Sequence, residues 1–150
     1  MKVLVHQRSS ITRYEGTFSS LSAFLLSANP QKTVEEQSEN VGEGSLFRGE
    51  AEEFSFTYRE REGGASVSVC KRDGELTLRR GRSEMHFLLK KESCFSYFVD
   101  YGSIEMQAYT ERIDVIEKGN SLLLTLVYFA VYSGMAQKNE VRFKIDIKEK

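Results

Sequence analysis

The chain has 150 residues, 40% hydrophobic and 29% charged, with a net charge of -1. That is one domain's worth of ordinary globular protein with enough length to bury a core, and the near-zero charge argues against a nucleic-acid binder, which needs a basic field to release counterions. Two cysteines at no ligand spacing, a single proline and an N-terminal apolar stretch too short for a signal peptide argue against a disulfide scaffold, a Pro-rich linker and secretion, leaving a cytoplasmic protein with reduced thiols as the expectation.

Lys2 to Thr12 reads as a strand. The one helical pattern follows: Leu21, Phe24, Leu25 and Ala28 fall at i, i+3, i+4 and i+7, with Ser19 or Ser20 to cap the start and Asn29-Pro30 to stop the end. Thr33 to Asn40 is acidic and reads as a strand or the ascending half of a hairpin; Val41 to Phe47 is weakly extended. From Glu52 the alternation sharpens. Phe54, Phe56 and Tyr58 alternate with Glu53, Ser55, Thr57 and Arg59, a half-buried strand, and Glu62-Gly63-Gly64 turns it.

Ala65, Val67 and Val69 then alternate up to Asp73-Gly74, a hairpin signal of the type I′ kind. If Arg72 faces Glu75, then Lys71 faces Leu76, Cys70 faces Thr77, Val69 faces Leu78 and Val67 faces Arg80. The register is self-consistent, because apolar residues share one face. Met85, Phe87 and Leu89 form the next inward set, then Phe95, Tyr97 and Val99, with a break at Tyr101-Gly102. Ile104, Met106 and Ala108 alternate with Glu105, Gln107 and Tyr109. Ile113, Val115 and Ile116 lose that parity, which predicts a bulge near Glu111 to Ile113.

Ser121 to Ser133, SLLLTLVYFAVYS, is apolar at both parities and too short to span a membrane as a helix. It is read as a central strand covered on both faces. Val141, Phe143, Ile145 and Ile147 make a cleanly alternating last strand. The whole is an all-β chain of about eight to ten antiparallel strands, with one short helix between the first two. Consecutive hairpins without a long crossover favour a barrel over a sandwich.

The order from Phe54 onward is distinctive. A hairpin carries Gly74-Glu75-Leu76, then come Arg80-Gly81, Met85-x-Phe87, Tyr97 with Tyr101-Gly102, a strand holding Glu105, an apolar strand and a terminal one. This resembles the YwiB-like family of uncharacterised small bacterial proteins with a calycin-like (lipocalin-like) β-barrel. Val99-Asp100 stands where that family tends to show Thr-Pro, and Ser10 to Pro30 looks like an addition. The resemblance implies a single calycin-like barrel domain in a bacterial cytoplasm. It implies no activity.

Arg80 is the side chain that calls for a partner, because its parity points inward and a buried guanidinium must be paired. Tyr97, Tyr101 and Glu105 surround the Gly102 break. They either place hydroxyls and a carboxylate at a cavity mouth, with Glu105 pairing Arg80, or serve as packing, turn and solvent contact. Arg79, Arg80 and Arg82 with Lys71 and Arg72 form either an anion site at the rim or a solvated hairpin face. His6 and His86 lack neighbouring ligands, so no metal site is expected, and neither Cys70 nor Cys94 has an activating base. The helix either lids the barrel mouth, by analogy with fatty-acid-binding barrels, or plugs an apolar end or covers an edge strand.

No phosphate loop, carboxylate pair or Ser-His-Asp order is present, so the sequence carries no enzyme signature and implies no cofactor. The expectation is a barrel that takes a small apolar or amphipathic ligand, with Arg80, Tyr97, Tyr101 and Glu105 at its polar end. The alternative is a structural or interaction module with a filled barrel, a homodimer through an uncovered edge included. A small enzyme on the same scaffold ranks third.

Overall fold

A computed structural model describes residues 1–27 and 30–148. The chain runs β1 (Lys2–Tyr14), α1 (Leu21–Leu25), β2 (Lys32–Arg48), β3 (Phe54–Glu60), β4 (Ser66–Arg72), β5 (Glu75–Arg80), β6 (Ser83–Leu88), β7 (Glu92–Val99), β8 (Gly102–Lys118), β9 (Ser121–Tyr132) and β10 (Met135–Ile147). All ten strands form one antiparallel sheet in the order β6-β5-β4-β3-β2-β1-β10-β9-β8-β7. Its two ends, β6 and β7, come together and close the cylinder. The predicted end of the helix at Ala28 and its stop at Asn29 lie outside the described residues.

The run at 121–133 behaves as its composition demands. Leu122, Leu124, Leu126, Tyr128 and Ala130 face the barrel core. Val131, with Phe129 beside it, faces outward into a second cluster with Leu21 and Phe24 of α1. Ser20 caps α1 by accepting from Ala23 N–H at 3.1 Å, and Leu21 N–H donates to Gln107 Oε1 at 3.0 Å. The Phe24 ring packs on Tyr14, Phe18 and Phe129 at 5.0–6.0 Å between centroids. The helix is therefore neither a mouth lid nor an edge cover. It lies on the outer face over β8, β9 and β10, where β9 is apolar on its second side.

The hairpin register matches the expectation at every pair from Arg72↔Glu75 to Val67↔Arg80. The turn type does not. Gly74 alone is left-handed (φ 67°), whereas a type I′ turn needs Asp73 there too. Glycine takes that conformation without steric cost, and aspartate is spared it. The predicted bulge appears in β8, where pairing with β9 shifts between Thr110 and Arg112.

β2, β8 and β10 run longer than the segments read from the sequence; β2 and β8 each have 17 residues. β2 joins the acidic and glycine segments into one strand. Its first part, Lys32–Val41, pairs only with β1, and β3 joins it from Gly42 onward. The crossover point carries Gly42 and Gly44, where an added Cβ would sit 2.0 Å from Arg59 O and 1.7 Å from Thr57 O.

Aromatic rings fill the centre. Phe54, Phe56, Phe87 and Phe95 are all buried, as their parity requires. Phe56 meets Phe143 edge-on at 5.3 Å, Phe87 meets Phe95 at 5.5 Å, and Phe87 meets Tyr128 at 4.5 Å. The seam between β6 and β7 has no continuous ladder. Two serine hydroxyls stand in for it: Ser93 donates to His86 O at 2.6 Å, and Phe98 N–H donates to Ser83 at 2.9 Å.

Candidate functional site at the polar mouth

One end of the barrel is made by the turns after β3, β5 and β7, and its polar groups come from the last residues of those strands. Arg80 ends β5 and Glu60 ends β3. They meet in a two-pronged ion pair, Nε to Oε2 and Nη2 to Oε1, both 2.9 Å. The carboxylate is the buried partner, its side chain 5% exposed against 47% for Arg80. The Glu60 carboxylate, with the Tyr97 hydroxyl behind it, holds the Arg80 pKa above its ordinary value.

Arg80 thus has the partner its parity required, but not the expected one. Glu105 stands on the outward parity between Ile104 and Met106 and accepts a hydrogen bond from Ser96, on the other side of the sheet from Glu60. The structure brings Arg80 and Tyr97 together and leaves Tyr101 at a turn with 89% exposure. Glu60 was legible: the alternation Phe54, Phe56, Tyr58 extends by one step to it, ahead of the turn at Glu62-Gly63-Gly64.

A separate line of hydrogen bonds crosses the inner face beside this pair. Tyr58 donates its hydroxyl to Asn40 Oδ1 at 3.0 Å, Asn40 Nδ2 donates to Gln7 Oε1, and Gln7 Nε2 donates to Ser9 Oγ. The wall above the aromatic centre is therefore built of neutral amides and hydroxyls. Burial raises the pKa of Tyr58, and the Glu60 charge adds to it; burial raises Tyr128 in the same sense.

Of seven tyrosines, these two are expected to stay protonated in alkaline solution until the barrel opens, and burial raises Tyr14 in the same direction. Their folded values lie above the unfolded value of about 10, so their contribution to stability is whole below that pH and falls as pH rises beyond it. Absorbance titration of the phenolates alongside circular dichroism checks this. Seven phenols ionising together while the fold persists would contradict it.

The remaining candidates separate. Arg79 pairs with Glu84 at 2.8 Å on the outer face, Arg82 lies over the Phe98 ring at 4.9 Å, and Lys71 is buried at the opposite end with Nζ donating to Arg72 O. The five hairpin cations do not form one anion patch, because alternation sends them to both faces. Cys70 and Cys94 are free thiols. His6 lies 3.9 Å from Asp146 and His86 lies 3.5 Å from Glu84. Among the described residues no three His, Cys, Asp or Glu side chains converge as a metal site.

A cleft of about 940 Å³ lies elsewhere, on outward positions of β1, β9 and β10. Its cations are already engaged: Arg8 with Glu39 at 3.3 Å, Arg142 with Glu140 at 2.6 Å and Arg112 with Asp114. We rank the mouth above it, since there a buried carboxylate, a half-exposed guanidinium and neutral donors share one wall.

Ten antiparallel strands closing on themselves around an aromatic core, with one helix clipped to the outside, define a small, nearly closed β-barrel protein. The chain belongs to the family described as Domain of unknown function (DUF1934), whose profile matches residues 26–145. The crystal structure of the ywiB protein from Bacillus subtilis is similar, with a TM-score of 0.57 at 14% identity, covering 95% of this chain and 90% of that one. This agrees with the YwiB-like resemblance read from the sequence. No curated protein matches. No helix among the described residues is long and apolar enough to cross a membrane.

Proposed function

We propose that the barrel is a non-catalytic binding protein for a small amphipathic ligand, held at the mouth by Arg80, Tyr97 and Glu60. One observation carries this reading. Glu60 occupies Nε and Nη2 of Arg80, leaving the Nη1 donors of a half-exposed guanidinium unclaimed by that carboxylate. A cation fixed by a buried anion is a preorganised donor site for a ligand oxygen. The filled aromatic centre limits the ligand's apolar part to a short one. A cytoplasmic setting with reduced Cys70 and Cys94 goes with this reading.

Native mass spectrometry of the protein purified from its own host tests it. A low-mass adduct is expected on the native chain, weakened in Arg80→Lys, which keeps the charge and loses the fork. A bare mass under gentle conditions sinks the proposal. A second reading rests on β2, whose Lys32–Val41 stretch leaves one edge without a strand partner. Such edges invite strand pairing with another chain, a second copy included. The same spectrum reports the subunit number.

A further inference from the structure

We infer that Thr110, Tyr128 and Asn139, with Gln137, form an inner subsite for an uncharged hydrogen-bonding group of the ligand. The inference rests on the binding reading above and extends it from the mouth into the barrel. The three residues stand side by side across β8, β9 and β10, since Tyr128 is opposite Thr110 on one side and Asn139 on the other. All are on the inner face and all are buried, Thr110 completely and Asn139 to 4% exposure.

Two polar atoms in this row have no partner among the described residues: Thr110 Oγ1 and Asn139 Nδ2. Asn139 Oδ1 is taken, accepting from Gln137 Nε2 at 3.0 Å. Buried polar groups are nearly always satisfied, so an orphan hydroxyl and an orphan amide on one wall are an anomaly with a direction. Both can donate, and the hydroxyl can also accept. The next inner row toward the β9–β10 turn holds Ala130 and Ala108, which offer only methyls.

The chemistry of the occupant follows from charge. No Asp, Glu, Lys or Arg stands on the inner positions of β8 from Met106 to Val115, of β9 from Leu122 to Ala130, or of β10 from Gln137 to Ile147. The charged pair on the adjoining strands, Arg13 with Glu36 at 2.6 Å, stands opposite Gln137 and carries its own counter-charge. An ion placed against this wall would lose its hydration with nothing to replace it. A carboxamide matches the two orphan atoms in kind, its oxygen accepting from Asn139 Nδ2 and its N–H donating to the Thr110 hydroxyl.

The row lies within reach of the mouth, since Tyr97 stands near both Arg80 and Tyr128. The ligand class is then a compact molecule with an anionic or acceptor end for Arg80 and an uncharged amide-like end inside. A simple long-chain acid does not match it.

The test uses the full chain, labelled with nitrogen-15, and two probes. Acetamide is expected to shift the Asn139 side-chain amide signals saturably, while acetate shifts the Arg80 Hε signal and leaves Asn139 in place. Thr110→Val, nearly isosteric, should weaken the acetamide response about fivefold, the loss of one neutral hydrogen bond. Asn139→Leu should abolish the acetamide response seen at the remaining inner signals, and Thr110→Val carries the test if that variant fails to fold. An Asn139 amide indifferent to acetamide but cross-relaxing with a long-lived water overturns the subsite and leaves a buried water only. An Arg80 signal indifferent to acetate counts against the mouth instead, so the two readings fail separately.

Discussion

Gly44→Ala is expected to abolish the folded barrel or lower its melting temperature by about 10 °C or more, corresponding to a loss of at least about 4 kcal/mol. The added methyl would lie 1.7 Å from Thr57 O and 2.7 Å from Thr57 C and Tyr58 Cα. These are main-chain atoms of β3, which a rotamer change cannot move. Relief requires β2 and β3 to part, and that sacrifices the pairing from Gly42 to Arg48. Gly63→Ala is the control. Gly63 has φ 76° but nothing within 4 Å of its missing Cβ, so only the left-handed backbone is strained, at about 1 kcal/mol. Thermal unfolding of the two variants side by side decides the matter. Equal losses would mean that the strands at Gly44 give way.

Arg80→Met is expected to cost about 2 kcal/mol, because it strands the Glu60 carboxylate in a dry position. Breaking a buried pair typically costs more, but half the Arg80 side chain is in solvent, which discounts the figure. The companion variant is the stronger argument. Combining Glu60→Leu with Arg80→Met removes both charges, and the double variant should regain most of the stability. Urea denaturation of the single and double variants measures the coupling. A double variant no more stable than Arg80→Met would show that the pair is held for its own energy rather than to neutralise a buried anion.

The fold was legible wherever one face of a strand is wet. Phe54 to Tyr58, Val67 to Leu78 and Val141 to Ile147 announce their faces by alternation, and their register followed from it. The run at 121–133 announced a cover on both sides without identifying α1 as that cover. Strand periodicity tells that Val131 and Phe129 are covered, and it is silent about what covers them. The length of β2 was illegible because Thr33 to Asn40 has no buried face to alternate; it is held by backbone pairing with β1 and by polar side-chain contacts.

At the site, the inward parity of Arg80 was right, and its partner was missed for want of one further step along β3. Of the two readings of Glu105, pairing with Arg80 rested on proximity to Gly102 against its own outward parity, and the outward-facing reading is the one that holds. The inner row at Thr110, Tyr128 and Asn139 gave no signal, since a bulge at Glu111 breaks the count on one strand and three strands must be aligned to assemble it.

β1 is hydrogen-bonded to β2 on one side and to β10 on the other, from Val3↔Ile147 to Tyr14↔Ala136. During synthesis the first of these neighbours emerges early and the second last. Until β10 clears the ribosome, β9 lacks the strand on one flank and its leucines have no finished interior to enter. The barrel therefore cannot seal before β10 is made, and a chain interrupted before β10 leaves the edges of β1 and β9 unpaired instead of forming a smaller barrel.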